Sequence, residues 1–298
     1  MIPDSDQLTA RQYWGKRMAE EELLREEKFP FVIVQTAIAQ NIVKKHLGLN
    51  EITKILDAGA GTGRYSLPLA REGYPVTHLD ISEEMIKIAR KSAEKDNIRN
   101  IDFVEGTVAD LSRFQDRDFG MTLSFDAPVS YSYPNHHKAI KELCRVTKNL
   151  LLLMLSNRNG LVPFMIDHEL SEGYLPTKID DSLETFYAAR SLIKNGVEIW
   201  PKNIQAFLDK EGKSIPFDYA FRVDEITNLV TREGFEILEM GGPCALARNI
   251  QPENLAKITK DRHLFDQFID LSMDFDFDRH NIGLGAVNLL VVAKRKKP

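Results

Sequence analysis

Three glycines at alternating positions, with an acid two places before the first, are the clearest chemical signal in this chain. They lie in the stretch Asp57 to Gly63, which follows an apolar run and precedes a helical segment that opens near Arg64. Glycine permits positive φ and lets a ligand approach the backbone closely, while a helix start presents free N–H groups. A strand, a tight turn and a helix start in this order are typical of a nucleotide site in a doubly wound α/β sheet.

The spacing of the glycines distinguishes between classes of nucleotide ligand. A dinucleotide-binding fold would show G-x-G-x-x-G, and a phosphate-binding P-loop requires Gly-Lys-Ser/Thr. This chain has G-x-G-x-G, and Gly63 is followed by Arg64 and Tyr65. The carboxylate of Asp57 would repel phosphate, but it suits a ligand with a cationic amino group. The spacing therefore disfavours a nicotinamide dehydrogenase, an alternative that a comparison of cofactor-induced melting shifts would test.

The motif resembles the first motif of class I S-adenosylmethionine-dependent methyltransferases, which has the form D-x-G-x-G-x-G. Asp57, Gly59, Gly61 and Gly63 match it residue for residue. The resemblance covers residues 50–156 well and the last 75 residues loosely. It implies S-adenosylmethionine (SAM) as cofactor and S-adenosylhomocysteine (SAH) as its product.

A second acid supports a nucleoside site. Asp80 ends the next predicted strand, about 20 residues beyond the glycine loop, where an acid accepts both hydroxyls of a ribose. Ser82 is the predicted N-cap of the helix that follows. The residues expected to bind the cofactor are Tyr13, Asp57, Gly59, Ala60, Gly61, Gly63, Asp80, Ile81, Met85, Thr107, Val108, Phe125 and Asp126.

The adenine contact is where the chain departs from the family pattern. The family often has an acid just after the glycine that follows the third strand, and this acid bonds the adenine amino group. Here Thr107 follows Gly106, so a hydroxyl, a backbone group or Asp110 could take that role. In the family an N-terminal helical segment closes over the cofactor. Tyr13 and Trp14 are placed for that closure, although they could equally anchor a terminal helix to the core.

Methyl transfer from a sulfonium is an in-line displacement, so the enzyme mainly positions the acceptor and excludes water. Tyr131 and Tyr133, just past the fourth predicted strand, could hold the acceptor or favour the sulfonium through their ring faces. A hydroxyl, amine or thiol acceptor could also need a base, for which the candidates are His136, His137 and His168. We take His136, His137 and Tyr131 as the catalytic candidates.

The elements that position these residues follow from hydrophobic periodicity. The pattern predicts an α/β fold of seven strands with helices between them, and the resemblance implies a Rossmann-like, mostly parallel sheet in the order 3-2-1-4-5-7-6 with helices on both faces and an inserted cap. A helix is predicted from Pro30 to Gly48, and another from Val223 to Arg232. The fifth strand is predicted from Asn149 to Leu155, and its residues from Leu150 onward form an unbroken apolar run, as a buried parallel strand requires.

The lengths of the connections predict four parts. Residues 1–50 form an N-terminal helical lid, residues 51–156 the SAM-binding core, residues 157–221 an inserted substrate cap, and residues 222–298 the C-terminal part of the core with a helical insertion at 241–285. The cap is too long for a connection and carries aromatic residues of its own. These are Phe164, Tyr174, Phe186, Tyr187, Trp200, Phe207, Phe217, Tyr219 and Phe221.

No metal site is expected. An acidic cluster late in the chain has the spacing of a calcium loop at its start, but Arg279 and Gly285 occupy the positions that require glycine and glutamate. We therefore predict a solvated acidic face for its members, Asp270, Asp274, Asp276 and Asp278. The two cysteines, Cys144 and Cys244, have no histidine–cysteine spacing suited to zinc.

Charge and length limit the partners. The 298 residues include 39 Lys and Arg against 44 Asp and Glu, a formal charge of −5 that disfavours nucleic acid as a partner. The longest apolar run is too short to span a bilayer, and no signal peptide is visible, so a cytoplasmic location without membrane association is expected. The leading hypothesis is a methyltransferase acting on an O, N, S or C nucleophile of a small molecule. The alternatives are a tRNA or protein side chain as acceptor, or a non-catalytic SAM-binding protein.

Overall fold

Seven strands form one sheet in the computed structural model, which describes residues 6–48, 52–171, 181–197, 199, 216–282 and 286–297. The sheet order is β3-β2-β1-β4-β5-β7-β6, which confirms the predicted order. Neighbouring strands from β3 to β5 are parallel, whereas β7 is antiparallel to both β5 and β6. The strands are β1 (Ile55–Ala58), β2 (Val76–Asp80), β3 (Ile101–Glu105), β4 (Phe119–Ser124), β5 (Thr147–Ser156), β6 (Phe235–Gly241) and β7 (Asn288–Arg295).

Helices cover both faces of this sheet and its carboxyl edge. In the described part of the chain they are α1 (Asp6–Tyr13), α2 (Lys16–Leu23), α3 (Arg25–Lys28), α4 (Pro30–Gly48), α5 (Ser66–Arg71), α6 (Glu83–Lys95), α7 (His136–Val146), α8 (Arg158–Ser171), α9 (Asp181–Asn195), α10 (Val223–Arg232), α11 (Ala245–Arg248), α12 (Pro252–Lys260) and α13 (Arg262–Asp276). A 3₁₀ turn, Ser130–Ser132, precedes α7. No helix among the described residues is both long and apolar enough to cross a membrane.

The parallel strands determine where a site can form. Because β1, β2 and β4 are parallel neighbours, their carboxyl ends meet at one edge of the sheet, the usual ligand edge of an open α/β fold. In β5 every residue from Leu150 to Leu155 is completely buried, as expected for a strand with neighbours on both sides. The rigid part of the sheet thus supports loops that leave it at Ala58, Asp80 and Ser124.

Helix α4 has the bounds that Pro30 and Gly48 predict, and it belongs to the core packing. Ala39, Ile42, Val43 and Leu47 pack against the sheet, in a cluster that includes residues of β1, β4, β5 and β7. Val34 and Ile38 pack instead against α11, α12 and α13. Among the described residues up to Gly48, α4 thus belongs to the core packing, whereas residues of α1 to α3 line the cavity at the carboxyl edge.

Helices α8 and α9 pack on each other within the segment predicted as the cap. Their shared cluster contains Leu161, Met165, Ala188 and Leu192. Among the aromatic residues of this segment Phe221 is completely buried, and Phe186 and Tyr187 are exposed on α9. Tyr174, Trp200 and Phe207 lie outside the described residues.

The prediction of a solvated acidic face is wrong for Asp276. This residue ends α13 and is completely buried, and its two carboxylate oxygens accept the backbone N–H groups of Cys244 at 2.8 Å and Leu246 at 2.9 Å. Burial raises the pKa of Asp276 to about 6, although those amides act in the opposite direction. Asp270, Asp274 and Asp278 are exposed as predicted. In the part of the chain that the structure describes, no group of three or more His, Cys, Asp or Glu could hold a metal ion.

The role of Asp276 can be tested by unfolding in urea. The substitution Asp276→Ala leaves two buried amides without an acceptor, so we expect it to lower the free energy of unfolding by about 1–3 kcal/mol. Asp274→Ala, two residues earlier on the same helix, is the matched control and should stay within about 0.5 kcal/mol of the native protein. Equal losses in both variants would contradict the assigned role.

Candidate active site

The glycine loop follows β1. The three glycines of its motif, Gly59, Gly61 and Gly63, have left-handed backbone conformations, with φ values of +82°, +56° and +94°. At Gly59 there is also no room for a side chain, because an added Cβ would lie 2.2 Å from the ring of Pro128. Gly61 differs, since no atom lies within 4 Å of the place where its Cβ would be. The first glycine therefore permits close packing, and the second leaves open space beside the backbone.

Asp80 holds this loop in place. Its side chain is buried at the tip of β2, where one carboxylate oxygen accepts the N–H of Gly61 at 2.8 Å and the other accepts the N–H of Ser82 at 2.8 Å. Burial raises the pKa of Asp80 to about 6, although both amides lower it. Ser82 caps α6, as predicted, by accepting the N–H of Met85, and its hydroxyl donates to the carbonyl of Trp14. Asp80 thus connects the glycine loop to Ser82, and Ser82 in turn binds the carbonyl of Trp14, which lies between α1 and α2.

Asp57, the acid of the motif, is almost completely buried. Neither of its carboxylate oxygens has a hydrogen-bond partner among the described residues. Burial raises the pKa of Asp57 to about 7, and the negative charge of Asp80 adds to the rise, whereas the neighbouring Ser66 lowers it. A buried carboxylate without a partner destabilises the protein, and it would be relieved by a cation.

Asp126 follows β4 in an unusual backbone conformation. Both Asp126 and Ala127 have positive φ, at +62° and +67°. The Asp126 carboxylate accepts hydrogen bonds from the side-chain amide of Gln35 at 2.7 Å and from Arg64 at 3.1 Å, and Arg25 lies 3.6 Å from the same oxygen as Arg64. These contacts hold the carboxylate at the carboxyl edge of the sheet.

A second acid joins this group from the N-terminal helices. Glu22 accepts a hydrogen bond from Arg64 at 2.7 Å and another from Arg25 at 3.3 Å. Glu22 and Arg25 lie on α2 and α3, whereas Arg64 follows the glycine loop. Acids and arginines consequently alternate across the boundary between the N-terminal helices and the core.

One cavity brings most of the predicted site together. The residues expected to bind a cofactor that line it are Gly59, Ala60, Gly61, Ile81, Met85, Thr107, Val108, Phe125 and Asp126. Tyr131 lines it as well, and it meets the ring of Trp14 edge-on at 5.4 Å. Tyr13, Asp57, Gly63 and Asp80 do not line it: Asp57 and Asp80 are buried near the carboxyl ends of β1 and β2, and Tyr13 packs against the ring of Trp14.

The cavity has further lining residues that the sequence pattern does not single out. They are Ala10, Glu22 and Arg25 from the N-terminal helices, and Thr62, Arg64, Tyr65, Pro128 and Ser132 from the core. Residues 20–28 are mostly charged, which is the usual pattern of a solvated helix face, so no local signal marks Glu22 or Arg25. Arg64 directly follows the glycine motif, and this position in the sequence could have marked it as a residue of the cavity.

The histidine candidates stand behind the wall of this cavity. His136 stacks on Tyr219 at 3.9 Å and on Tyr133 at 5.3 Å between ring centroids, and only Tyr133 of the three lines the cavity. Burial, and then the proximity of His137, lower the pKa of His136 to about 4, so its imidazole is neutral at pH 7. His137 does not line the cavity either, and the side chain of His168 lies outside those that the structure describes.

Tyr219 stacks on His136 and Tyr133, and it is itself fixed by hydrogen bonds. Its hydroxyl donates to Glu225 at 2.6 Å, and Arg158 reaches both Tyr219 and Glu225 at 3.3 Å. Tyr133 and Tyr219 are nearly parallel, with 6° between their planes and 5.9 Å between centroids. Tyr133 is therefore supported from behind by an anchored aromatic ring.

Comparison with known proteins agrees with this architecture. Residues 55–149 match the model of a family described as a methyltransferase domain. The chain is 26% identical over 160 residues to magnesium-protoporphyrin O-methyltransferase of Rhodobacter capsulatus, a match that covers 47% of this chain and 70% of that protein. It is 38% identical over 60 residues to a 23S rRNA (uracil(747)-C(5))-methyltransferase of Pyrococcus abyssi, covering 20% of this chain and 14% of that protein.

Among solved structures, a magnesium protoporphyrin IX methyltransferase from Synechocystis PCC 6803 with bound SAH has the same fold. The TM-score is 0.54 at 15% identity, and the alignment covers 98% of this chain and 100% of that chain. Several of the curated relatives are matched over less than half of their length. The family model covers residues 55–149, the segment that carries the glycine loop and strands β1 to β4.

The buried carboxylate of Asp57 gives a test by pH. The folded protein keeps the Asp57 proton up to about pH 7, whereas the unfolded chain releases it near pH 4, so the native protein loses stability relative to Asp57→Asn as pH rises between these values. We expect the stability difference in favour of Asp57→Asn to grow by up to about 1.4 kcal/mol per pH unit in this window and to stay level above it.

Urea unfolding of both ligand-free proteins at intervals from pH 4.5 to pH 8.5 would measure this difference. Asp102→Asn, which alters a more exposed carboxylate on β3, is the control and should show a nearly flat difference. A pH-independent difference for Asp57→Asn would show that its carboxylate ionises normally in the folded state.

Proposed function

Because residues 55–149 are a methyltransferase domain of the class I family, whose cofactor is SAM, we propose that the protein transfers a methyl group from SAM to a small molecule. The observation that supports this most directly is a cavity at the carboxyl edge of the sheet. It has the open backbone of the glycine loop on one side, charged side chains at one end and aromatic rings at another. The N-terminal helices cover it with Ala10, Trp14, Glu22 and Arg25.

The chain's residues fit the parts of SAM. Each oxygen of Asp80 accepts one backbone N–H and retains a lone pair for a ribose hydroxyl. Ile81, Thr107 and Val108 line the cavity beyond that tip and would enclose the adenine. Asp110 lines only a neighbouring shallow pocket, which favours Thr107 or Val108 for the adenine contact. The unpaired carboxylate of Asp57 lies beneath the loop and would favour the cationic end of the cofactor.

SAM supplies an activated methyl group on a sulfonium, and the protein's own residues hold the reactants and exclude water. Tyr131, Tyr133 and Trp14 form an aromatic wall that can favour the sulfonium by about 0.5–2 kcal/mol and contact an acceptor. Positioning of the acceptor by such a wall can account for a large part of the rate enhancement, on the order of 7–11 kcal/mol.

The catalytic candidates take different places in this scheme. Tyr131 contacts the acceptor, because it lines the cavity. His136 and His137 act from behind Tyr133, where the neutral imidazole of His136 positions the ring that faces the cavity. Within the described residues that line the cavity, both acids, Glu22 and Asp126, are paired with arginines. A dedicated base is therefore not part of the proposal.

The organisation into a lid, a core, a cap and a C-terminal part is proposed on the same basis. The N-terminal helices of the lid (residues 1–50) would close over SAM bound to residues 51–156. The cap (residues 157–221) supplies Tyr219 and Phe217, whose rings pack against Tyr133 of the cavity wall. Residues 222–298 complete the sheet, and their insertion at 241–285 packs on α4.

A small-molecule acceptor is favoured by the formal charge of −5 and by a cavity closed over by the N-terminal helices. The magnesium-protoporphyrin O-methyltransferase is matched over most of its length, and its name specifies a small molecule. The match to the rRNA methyltransferase covers only 14% of that protein, which limits its bearing to the cofactor domain. A tRNA or protein acceptor and a non-catalytic SAM-binding role are the alternative functions.

An assay of SAH release with different classes of acceptor distinguishes these functions. Purified protein with SAM would be assayed for SAH release against pools of phenols, amines, thiols and carboxylic acids, and against bulk tRNA. We expect release with at least one small-molecule pool and none with tRNA. Binding of SAM without release in any pool would favour the non-catalytic alternative, and release with tRNA alone would overturn the small-molecule assignment.

The ribose assignment predicts the effect of Asp80→Ala on SAH binding. Loss of charge-assisted hydrogen bonds should weaken binding by roughly 1–3 kcal/mol in isothermal titration calorimetry. Asp110→Ala, an acid close to the same end of the cavity that is not one of its lining residues, should leave the affinity within about twofold. Unchanged affinity in Asp80→Ala would refute the ribose role, and a circular dichroism melt would confirm that both variants fold.

A further inference from the structure

Arg248 is a partly buried cation for which the described part of the chain supplies no acid. It ends α11 in the C-terminal insertion. Among the described residues its Nε is enclosed without a hydrogen-bond partner, and the guanidinium forms no ion pair with a carboxylate. Burial lowers the pKa of Arg248, and the positive charge of Arg25 adds to this effect, whereas Cys244 acts in the opposite direction. Burial also raises the pKa of Cys244 to about 11, so its thiol is neutral at pH 7 and does not balance the charge.

Two aromatic rings lie where an acid would be expected. The guanidinium carbon of Arg248 lies 4.0 Å from the centre of the Phe31 ring and 4.7 Å from that of Phe164. Ring faces attract a cation, but they have no oxygen that accepts from its N–H groups. Phe31 is at the start of α4 and Phe164 is on α8 in the cap, so three parts of the chain meet here. We call Phe31, Phe164 and Arg248 the arginine clamp.

The clamp borders the charged end of the cavity without lining it. Asp126 lines the cavity and accepts a hydrogen bond from Gln35 at 2.7 Å, and the Oε1 of Gln35 accepts from the thiol of Cys244 at 3.6 Å. Cys244 immediately precedes the short helix that ends at Arg248. Arg25, another lining residue, is near enough for its charge to act on Arg248. A short series of contacts therefore connects the cavity with the clamp.

The clamp is also accessible from solvent. The side chain of Phe164 is 38% exposed, and Phe31 and Arg248 are partly exposed. Because Nε is enclosed, the terminal nitrogens of the guanidinium are the donors that a ligand can reach. These nitrogens form a planar fork that fits the two oxygens of a carboxylate. One guanidinium balances one negative charge, so a carboxylate fits better than a dianionic phosphate.

We propose that Arg248 recognises a carboxylate of the methyl acceptor, so that the substrate is an organic acid whose apolar body lies against Phe31 and Phe164. The inference rests on the proposed function, since it assumes that the protein methylates a small molecule beside the cap. The carboxylate is a recognition group and not the methylated atom, because the clamp does not line the cavity where SAM would lie. The acceptor reaches from the clamp into the cavity, where another of its atoms receives the methyl group.

The test compares carboxylic acids with their primary amides, which have nearly the same shape but no negative charge. The panel contains aryl and alkyl acids that carry a hydroxyl, amine or thiol, each with its amide. Isothermal titration calorimetry would measure their binding to the native protein saturated with SAH. We expect at least one acid to bind about 10- to 100-fold more tightly than its amide. A panel in which no acid binds more tightly than its amide would overturn the inference.

Substitutions of Arg248 would locate the origin of this preference. Arg248→Met removes the charge but keeps a long side chain, so the acid should bind as weakly as its amide while SAH binds within about twofold of the native value. Arg248→Lys keeps the charge without the fork and should retain part of the preference. A preference that persists in Arg248→Met, or an equal loss for acid and amide, would contradict the recognition role.

Arg262→Met is the matched control. Arg262 begins α13 in the same insertion, its side chain is 96% exposed, and it does not line the cavity. This variant removes the same charge from the same part of the chain, so the preference for the acid should equal that of the native protein. A loss as large as in Arg248→Met would show that the clamp is not the origin of the preference.

Chemical labelling of the native protein gives a measurement that does not depend on a variant folding. Phenylglyoxal modifies accessible guanidinium groups, and peptide mass spectrometry would measure the extent of modification at Arg248. We expect the tightest-binding acid to slow this modification and its amide to leave it unchanged. Equal rates with the two compounds would place the acid elsewhere and overturn the inference.

These outcomes separate the inference from the proposed function. A native protein that binds SAH but shows no preference for any acid would overturn the role of Arg248 and leave SAM as the cofactor. A native protein that did not bind SAH would overturn the proposed function, and the inference with it.

Discussion

A buried carboxylate at the tip of β2 is the interaction on which the active-site region depends. Asp80 accepts one N–H from the glycine loop and one from the start of α6, so that the two loops bordering the cavity are fixed to the same side chain. Ser82 extends this connection to the carbonyl of Trp14. Asp80 and Ser82 consequently link the shape of the glycine loop, the start of α6 and the position of α1. Such an arrangement keeps the cavity preformed, which lowers the ordering cost of binding a ligand.

The neighbouring carboxylates show that position at a strand tip does not by itself determine chemistry. Asp57 is buried without a partner, Asp80 is satisfied by amides, and Asp126 is surrounded by arginines and an amide side chain. Asp57 is the last residue but one of β1, Asp80 ends β2, and Asp126 follows β4, and β1 is the parallel neighbour of both other strands. One sheet edge therefore carries a carboxylate without a partner, a carboxylate held by backbone amides and a carboxylate paired with arginines.

Features that depend on local sequence could be predicted. The bounds of α4 follow from Pro30 and Gly48, and the cap of α6 follows from Ser82. The sheet order was implied by the resemblance of the glycine motif to a known family. Features created by packing of distant segments could not. His136 lies behind the cavity wall because Tyr219, 83 positions later, stacks on it, and Asp276 is buried because the start of α11 needs an acceptor. The ion pairs of Arg64 with Glu22 and Asp126 could not be predicted for the same reason, since they join residues 42 and 62 positions apart.

Pro128 and Gly59, 69 positions apart, form a single packing unit. The ring of Pro128 occupies the space that a side chain at position 59 would need, and this fixes the distance between the loop after β1 and the loop after β4. Trimming position 128 to widen the acceptor side would still not release position 59, because its φ of +82° independently demands glycine. Two independent constraints, the contact with Pro128 and the positive φ, therefore require glycine at position 59 in the loop after β1. Of these two positions, only 128 in the loop after β4 is open to substitution.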